Sequence, residues 1–438
     1  RMKFTDLFVH YNVQPGSGHT ANGRPVSRGD VLHFDPRMHA QHSDTALNKF
    51  AGILYDLYDS YKIKEITSRR LKHDAMMNIL RSLQASMKDI LAIEQIGASS
   101  EGRSINLLTL GSGKRKIFMW SQMHGDEPTA TMGILDMLSY IAGHRSSAEV
   151  NDILSKTTLL IIPMLNPDGA QRFQRRSVHW IDINRDALQL RTVEAQLLKQ
   201  TRDRYSPEFG FNLHDQEPRY TVGTSGNVAT IALLAPSIDK AKSENAVRLR
   251  AKKVASRLAD IFSPFIDGHI SRYDDSFEPR AFGDNIQKWG TSTVLVESGG
   301  AKNDPEKMSI RKLNCVALLS ICHSIATGEY EAADIARYEG LPENTKNLFD
   351  IIVRGVTLVV GNGVAPVVVD LGINVEDMLQ ADGSVVRKGK IADIGDLSMF
   401  SSFDVVDGKG KSIDAQMAKL ESIVDVQGLI ASLRKQGG

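Results

Sequence analysis

Several short stretches of this chain hold side chains that could do hydrolytic chemistry if a fold brought them together. The first is SQMHGDEP, residues 121–128, directly after the apolar run RKIFMW. An imidazole and a carboxylate three residues apart can turn toward one point where the chain leaves a strand in a tight turn. Gly125 eases that turn, and Pro128 suits the first position of a following helix. A hydrolytic zinc site needs three protein ligands and an open position for water. His124 and Glu127 could supply two of them, although such a pair also arises as a surface His salt-bridged to a Glu. The candidate third ligand is His214, at the end of FGFNLH. Strand ends are where α/β folds commonly place ligand sites. The competing reading is a core His hydrogen-bonded to Asp215. Glu297 closes TSTVLVES, another buried apolar run. A carboxylate there needs a partner or a function, because an unpaired buried charge is costly.

Between these lies NPDGAQRFQRRSVHWIDINRD, residues 166–186. Asn166-Pro167-Asp168-Gly169 reads as a turn. Asp182, Asn184 and Arg185 follow in a short stretch read as extended, so alternation points Asp182 and Asn184 the same way. The planar fork of Arg185 suits a carboxylate ligand; a surface pair with Asp186 is the plain alternative.

Something must position these residues, and the pattern of apolar residues says what. Two amphipathic helical patterns, TALNKFAGILYDLYDSY and HDAMMNILRSLQASM, precede a series of short β-branched runs. IEQIGAS, SINLLTLGS, RKIFMWSQ, TTLLIIPML, FGFNLH, TIALLAP and TSTVLVES alternate with helical stretches at 129–143, near 192–204, at 239–262 and at 304–327. Strands alternating with helices predict an α/β domain over 42–330, with a largely buried central sheet. Residues 1–41, rich in Gly, Pro, His and Arg, read as an extended arm or irregular cap. After 345 the texture becomes strand-like with Gly-containing turns, which predicts a small β-rich domain over 345–438, closed by two short helical patterns.

Bulk composition excludes some functions. With 53 basic against 52 acidic residues the net charge is +1, which gives no reason to expect nucleic acid or an anionic membrane as partner. No apolar run approaches the length of a transmembrane helix. Cys315 and Cys322 sit seven residues apart in one helical pattern, about 10.5 Å along the axis, too far for a disulfide. Any metal site must therefore use His and carboxylates. The chain starts at Arg1 and shows no signal-peptide pattern, which leaves both a cytoplasmic and an exported location open.

Taken in order, HGDE, NPDG, D-I-N-R, a strand ending in His and a strand ending in Glu resemble the zinc metallocarboxypeptidase family of the carboxypeptidase A and B type. The likeness runs over roughly residues 60–330 and begins at EGRSI, 101–105. It implies a mixed, mostly parallel central sheet flanked by helices, the β-rich C-terminal domain being extra. It also implies one zinc ion held by His124, Glu127 and His214, with Glu297 as the general base that activates water. By the same resemblance Asn184 and Arg185 bind the substrate's terminal carboxylate, and Asp182 orients the first zinc histidine. Arg175 helps stabilise the oxyanion, with Arg176 one residue away as the alternative. Tyr273, in SRYDDSFEPRAFGD, is the nearest counterpart of the family's mobile active-site tyrosine; an ordinary surface Tyr is the other reading.

The implied activity is hydrolysis of an amide bond next to a free carboxylate, on a peptide. The form HGDE also occurs in succinylglutamate desuccinylase and aspartoacylase, so an N-acyl amino acid is the alternative substrate. A non-catalytic metal-bearing binding protein is the third reading, since fold alone never licenses an activity. Oligomeric state is left open.

Overall fold

In the central runs large apolar residues occupy successive positions, so both faces of a strand must be covered. In RKIFMW, Ile117 and Met119 join one core while Phe118 and Trp120 join another. Every one of these four is fully buried. The computed structural model, which describes residues 46–379, 385–416, 418–426 and 428–429, forms a sheet with helices on both faces. The arm expected over 1–41 lies outside the described residues.

The strands are β1 (Leu91–Ala98), β2 (Ser104–Leu110), β3 (Arg115–Ser121), β4 (Thr157–Ile162), β5 (Phe209–His214), β6 (Thr221–Val222), β7 (Ile231–Leu234), β8 (Ile270–Arg272) and β9 (Ser292–Ser298). The helices are α1 (Ala46–Tyr61), α2 (His73–Ser86), α3 (Thr129–Gly143), α4 (Ala148–Lys156), α5 (Pro167–Arg172), α6 (Val193–Tyr205), α7 (Ala246–Ile266), α8 (Phe282–Lys288) and α9 (Met308–Thr327). Eight strands build the main sheet in the order β1-β2-β4-β3-β5-β9-β7-β8. The middle of it, β4-β3-β5-β9, is parallel, and the antiparallel pairings lie toward the edges. This is the mixed, mostly parallel α/β sheet the sequence predicts. The larger core packs α1, α2, α3, α4, α7 and α9 on one face; the smaller, with Leu198, Phe282 and Ile286, packs α6 and α8 on the other. Cys315 and Cys322 are both free and buried on α9.

Strand order explains where a site can form. From β3 the chain passes to β4 on one side and then to β5 on the other. The crevice at such a reversal, beyond the carboxyl ends of the strands, is where open α/β sheets bind ligands. His214 and Glu297 are register partners on neighbouring parallel strands β5 and β9, and β3 ends beside them with Ser121 opposite Leu213.

Two local expectations near these strand ends fail. Asn166-Pro167-Asp168-Gly169 starts the six-residue helix α5: the Asn166 side chain accepts the Gly169 N–H at 2.9 Å, and Pro167 fills the first turn. Residues Ile183–Arg185 form a 3₁₀ turn where an extended segment was expected, because the Asp182 carboxylate accepts the Asn184 N–H at 2.9 Å and caps it.

A short pairing of β6 with β10 (Asn344–Thr345) leads to a second sheet. Its strands are β11 (Leu348–Val359), β12 (Val367–Leu379), β13 (Val385–Gly395), β14 (Ser401–Asp407), β15 (Ser412–Asp414) and β16 (Ile423–Val424). Val353, Val356, Leu371, Ile373 and Ile391 form its own small core. The closing stretch, expected as two short helices, begins instead with strand β15, which pairs with β11; its last residues, 430–438, lie outside the described ones. Ion pairs tie this sheet to the first: Arg219 with Asp350 at 2.9 Å and Arg387 with Glu306 at 2.8 Å. No helix among the described residues is long and apolar enough to cross a membrane.

Candidate active site

The loop leaving β3 carries the first two candidate ligands. Gln122 takes a left-handed backbone (φ 51°), which L-residues adopt at a cost, and its side chain donates to the Gly125 carbonyl at 3.0 Å. Gly125 is required for close approach: a Cβ there would meet the Gly169 carbonyl carbon of α5 at 2.0 Å. This packing presses the loop against α5 and turns His124 and Glu127 inward. One ligand atom from each of His124, Glu127 and His214 lies within 4.8 Å of the others, and all three residues are buried.

Glu127 is the centre of the group. Its Oε1 lies 2.8 Å from His124 Nδ1 and accepts from Arg175 Nη1 at 3.0 Å. Its Oε2 lies 2.7 Å from His214 Nδ1 and accepts the Asp215 N–H at 3.2 Å. On the far side of the first imidazole, His124 Nε2 lies 3.1 Å from Asp182 Oδ1, while Asp182 Oδ2 accepts from Arg175 Nε and Nη2 at 3.2 and 3.1 Å. Two imidazoles and a carboxylate, each turning one atom to a common point, form a donor set of the kind that holds catalytic zinc. A carboxylate on the outer nitrogen of His124 leaves Nδ1 as the ligand atom. Ligands at about 2.0–2.2 Å from an ion stand roughly 3–3.5 Å apart, so these residues fit a zinc ion with small adjustments.

Glu297 sits beside this group. Its Oε2 is buried with no hydrogen-bond partner among the described residues. Burial, and then the charge of Glu127, push its carboxyl up to about 8. His124 shows the opposite balance: burial disfavours the charged ring, but Glu127 and Asp182 outweigh it and raise it to about 9. Asp182, although burial works against it, is held below the usual carboxylate range by His124 and Arg175. Burial lowers His214. A bound divalent cation would be the largest charge here and reset these balances.

Asn184 and Arg185 stand at the outer edge. The Asn184 Oδ1 accepts the Phe282 N–H of α8 at 2.9 Å, which fixes the amide and leaves its NH₂ for a ligand. Arg185 is half-exposed; its nearest acid is Glu278, at 3.6 Å, and Asp186 spends its carboxylate on the Arg191 and Thr192 N–H groups. Tyr273 is partly buried after β8. Burial raises its phenol, and the charges of Glu297, Tyr220 and Glu127 add to the shift. Of the two adjacent arginines, Arg175 reaches Glu127 and Asp182, whereas Arg176 turns away and donates to the Trp180 carbonyl.

Lys307 escaped the sequence reading. It is 4% exposed, and its ammonium donates to Ser298 O at 2.9 Å and Asp215 Oδ2 at 3.2 Å, tying the ends of β9 and β5 together. Asp215 therefore answers to Lys307 and Thr129, and the hydrogen bond to His214 considered above does not form. A lysine at the start of a helical pattern gave no signal for this.

Residues 76–215 match the family model described as zinc carboxypeptidase. The match covers about a third of the chain, and over that stretch the chain is similar to zinc carboxypeptidases. The expected site residues His124, Glu127, Arg175, Asp182, Asn184, Arg185 and His214 fall inside the matched segment, whereas Tyr273 and Glu297 lie beyond it. The chain is 28% identical to Carboxypeptidase 2 of Trichophyton rubrum over 159 residues, which is 34% of this chain and 29% of that one. It is 32% identical to Carboxypeptidase B of Astacus astacus over 100 residues, 22% of this chain and 32% of the relative. The matched region thus spans about a third of the length of these relatives. A metallo-carboxypeptidase from Burkholderia cenocepacia superposes with a TM-score of 0.48 at 15% identity, covering 59% of this chain and 69% of that one.

Proposed function

We propose that this protein is a zinc metallocarboxypeptidase that hydrolyses the last amide bond of a peptide, next to a free carboxylate. The observation that carries it is the convergence of His124, Glu127 and His214 beside a buried carboxylate, Glu297, one of whose oxygens has no partner among the described residues. Bound by the three converging side chains, zinc supplies Lewis-acid polarisation of the scissile carbonyl and lowers the pKa of water to about 7.

The chain's own residues do the rest. Glu297 takes a proton from the attacking water as its oxygen bonds to the carbonyl carbon. It returns that proton to the amine nitrogen as the C–N bond breaks. Arg175, held by Glu127 and Asp182, offers its guanidinium to the negative charge that develops on the carbonyl oxygen. The Asn184 NH₂ and the Arg185 guanidinium receive the terminal carboxylate and so set which bond lies at the reacting centre. Tyr273 closes over the leaving residue.

The test is zinc-loaded protein against matched peptides with free and amidated C termini, alongside N-acyl amino acids. Release of the last residue from free peptides only, and its loss in Arg185→Ala, is the expected result. Equal cleavage of amidated peptides would sink the carboxypeptidase reading, and turnover confined to N-acyl amino acids would replace it with a deacylase.

A further inference from the structure

Outside Asn184 and Arg185 the structure holds more positive charge than one terminal carboxylate needs. An open cavity of about 640 Å³ is lined by Arg176, Arg185, Arg191 and Arg280, with Asp182 reaching it from the metal-ligand side. Trp180, 71% exposed, stands on its wall. In a chain of net charge +1 this is a local excess.

The acids nearby are already engaged. Asp182 holds His124 and Arg175. Asp186 accepts the Arg191 and Thr192 N–H groups and the Thr192 hydroxyl. Glu278 takes Arg280 through both oxygens, at 3.0 and 3.1 Å, and stands 3.6 Å from Arg185. It thereby fixes two guanidiniums without consuming all their donors. The guanidiniums of Arg176 and Arg191 donate to neutral oxygens, the Trp180 carbonyl and the Gln189 side chain, and neither guanidinium meets a carboxylate among the described residues. Clustered arginines with free N–H groups in a concave wall raise the local potential and present planar forks to an anion.

We propose that this cavity receives a second carboxylate, so that the substrate is a peptide whose last residue is acidic, Glu or Asp. Arg185 and Asn184 take the main-chain carboxylate; Arg176, Arg191 and Arg280 surround the side-chain one. The proposal rests on the carboxypeptidase reading for the position of the substrate, but its charge preference can be measured without turnover.

Acetyl-Ala-Ala-Glu, the same peptide ending in Gln, Leu or Lys, and acetyl-Ala-Glu-Ala are given to the full zinc-loaded chain, and release of the last residue is followed. Binding of the Glu and Gln peptides to the Glu297→Gln protein is measured in parallel by calorimetry. The Glu peptide is expected to exceed the Gln peptide by about tenfold or more in kcat/KM and in affinity, the scale of a charge-assisted contact. That ratio falls with added salt and moves toward one in the Arg176→Gln/Arg191→Gln double variant. A Glu-to-Gln ratio near one, a preference for Leu or Lys, or a preference for glutamate at the penultimate position would overturn the acidic pocket while leaving the carboxypeptidase reading intact. If no peptide is cleaved, the carboxypeptidase reading falls and calorimetry alone decides the pocket. Tighter binding of Glu than Gln then supports it, and equal or undetectable binding overturns it.

Discussion

Asp182→Asn is the perturbation that best separates a built metal centre from a chance cluster. Asp182 serves three partners at once: Oδ1 lies 3.1 Å from His124 Nε2 and accepts the Asn184 N–H at 2.9 Å, and Oδ2 accepts two N–H groups of Arg175 at 3.2 and 3.1 Å. An amide has one acceptor atom where the carboxylate has two. If its oxygen stays on His124, its NH₂ faces the Arg175 guanidinium, donor against donor, and both charge-assisted bonds are lost. If its oxygen turns to Arg175, its NH₂ faces His124 Nε2 and favours the tautomer with the proton on Nδ1, the atom needed as ligand. Either way the site loses an orienting contact of the type whose removal costs about 10–100-fold in metal affinity, or roughly 1.4–2.8 kcal/mol. Competition against a chromogenic zinc chelator measures that affinity directly, and circular dichroism checks that the fold persists. Zinc affinity within about twofold of the parent would refute the argument that Asp182 sets the ring of His124.

Three further outcomes follow from buried charges. Glu297→Gln should abolish turnover while zinc stays bound, and retention of a tenth of the activity would remove Glu297 as base. The same variant tests its ionisation: because its folded pKa is raised to about 8, above the ordinary value of about 4.3, the stability it contributes is complete below that ordinary value and is lost as pH rises through about 8. His124, raised to about 9, acts in the same direction up to that pH. Chelated protein should therefore melt lower at pH 9 than at pH 6, with a shallower fall in Glu297→Gln; identical slopes would show that the carboxyl is not raised. Away from the site, Asp136 is fully buried and accepts Arg311 through both oxygens at 2.7 Å, with Tyr58 and the Ile63 N–H completing its shell. Asp136→Ala leaves the Arg311 charge unpaired between α3 and α9, and chemical denaturation should show a loss of about 3–5 kcal/mol. A loss below about 1 kcal/mol would mean that water reaches the arginine.

The parts of the fold that could be read from residues are those where a strong local pattern coincided with the tertiary outcome. β3, β4, β5 and β9 are runs of large apolar side chains, and burial on both faces is the one environment that accepts them. α3 was legible from its first residue to its last, TATMGILDMLSYIAG, because Pro128 and Gly143 bracket an apolar pattern. Failures came where a side chain overrode the pattern. NPDG looks like a turn until the Asn166 cap and Pro167 are read as a helix start. The D-I-N-R segment looks extended until Asp182 bonds back to its own backbone. Such choices between turn, cap and strand are made by single hydrogen bonds, and no period in the sequence announces them.

The site divides along the same line. His124 and Glu127 are neighbours in sequence, so their type and spacing carry information before any fold exists. His214 and Glu297 gain meaning only because parallel β5 and β9 are adjacent and in register, a long-range fact that the 82 intervening positions do not encode locally. Lys307 carries the point further, since it bonds to the ends of both strands and yet begins a helix like any exposed lysine. The arginines of the outer cavity come from the turn after α5, the 3₁₀ turn, the approach to α6 and the loop before α8. Arg191 and Arg280 belong to no motif, and the common chemistry of the four exists only once the site's own loops have folded around Asp182. In the proposed acidic pocket, specificity is thus built largely from residues with no sequence signature, on a centre that has one. For that reason charge-matched peptides, rather than further motif comparison, discriminate among substrates for this chain.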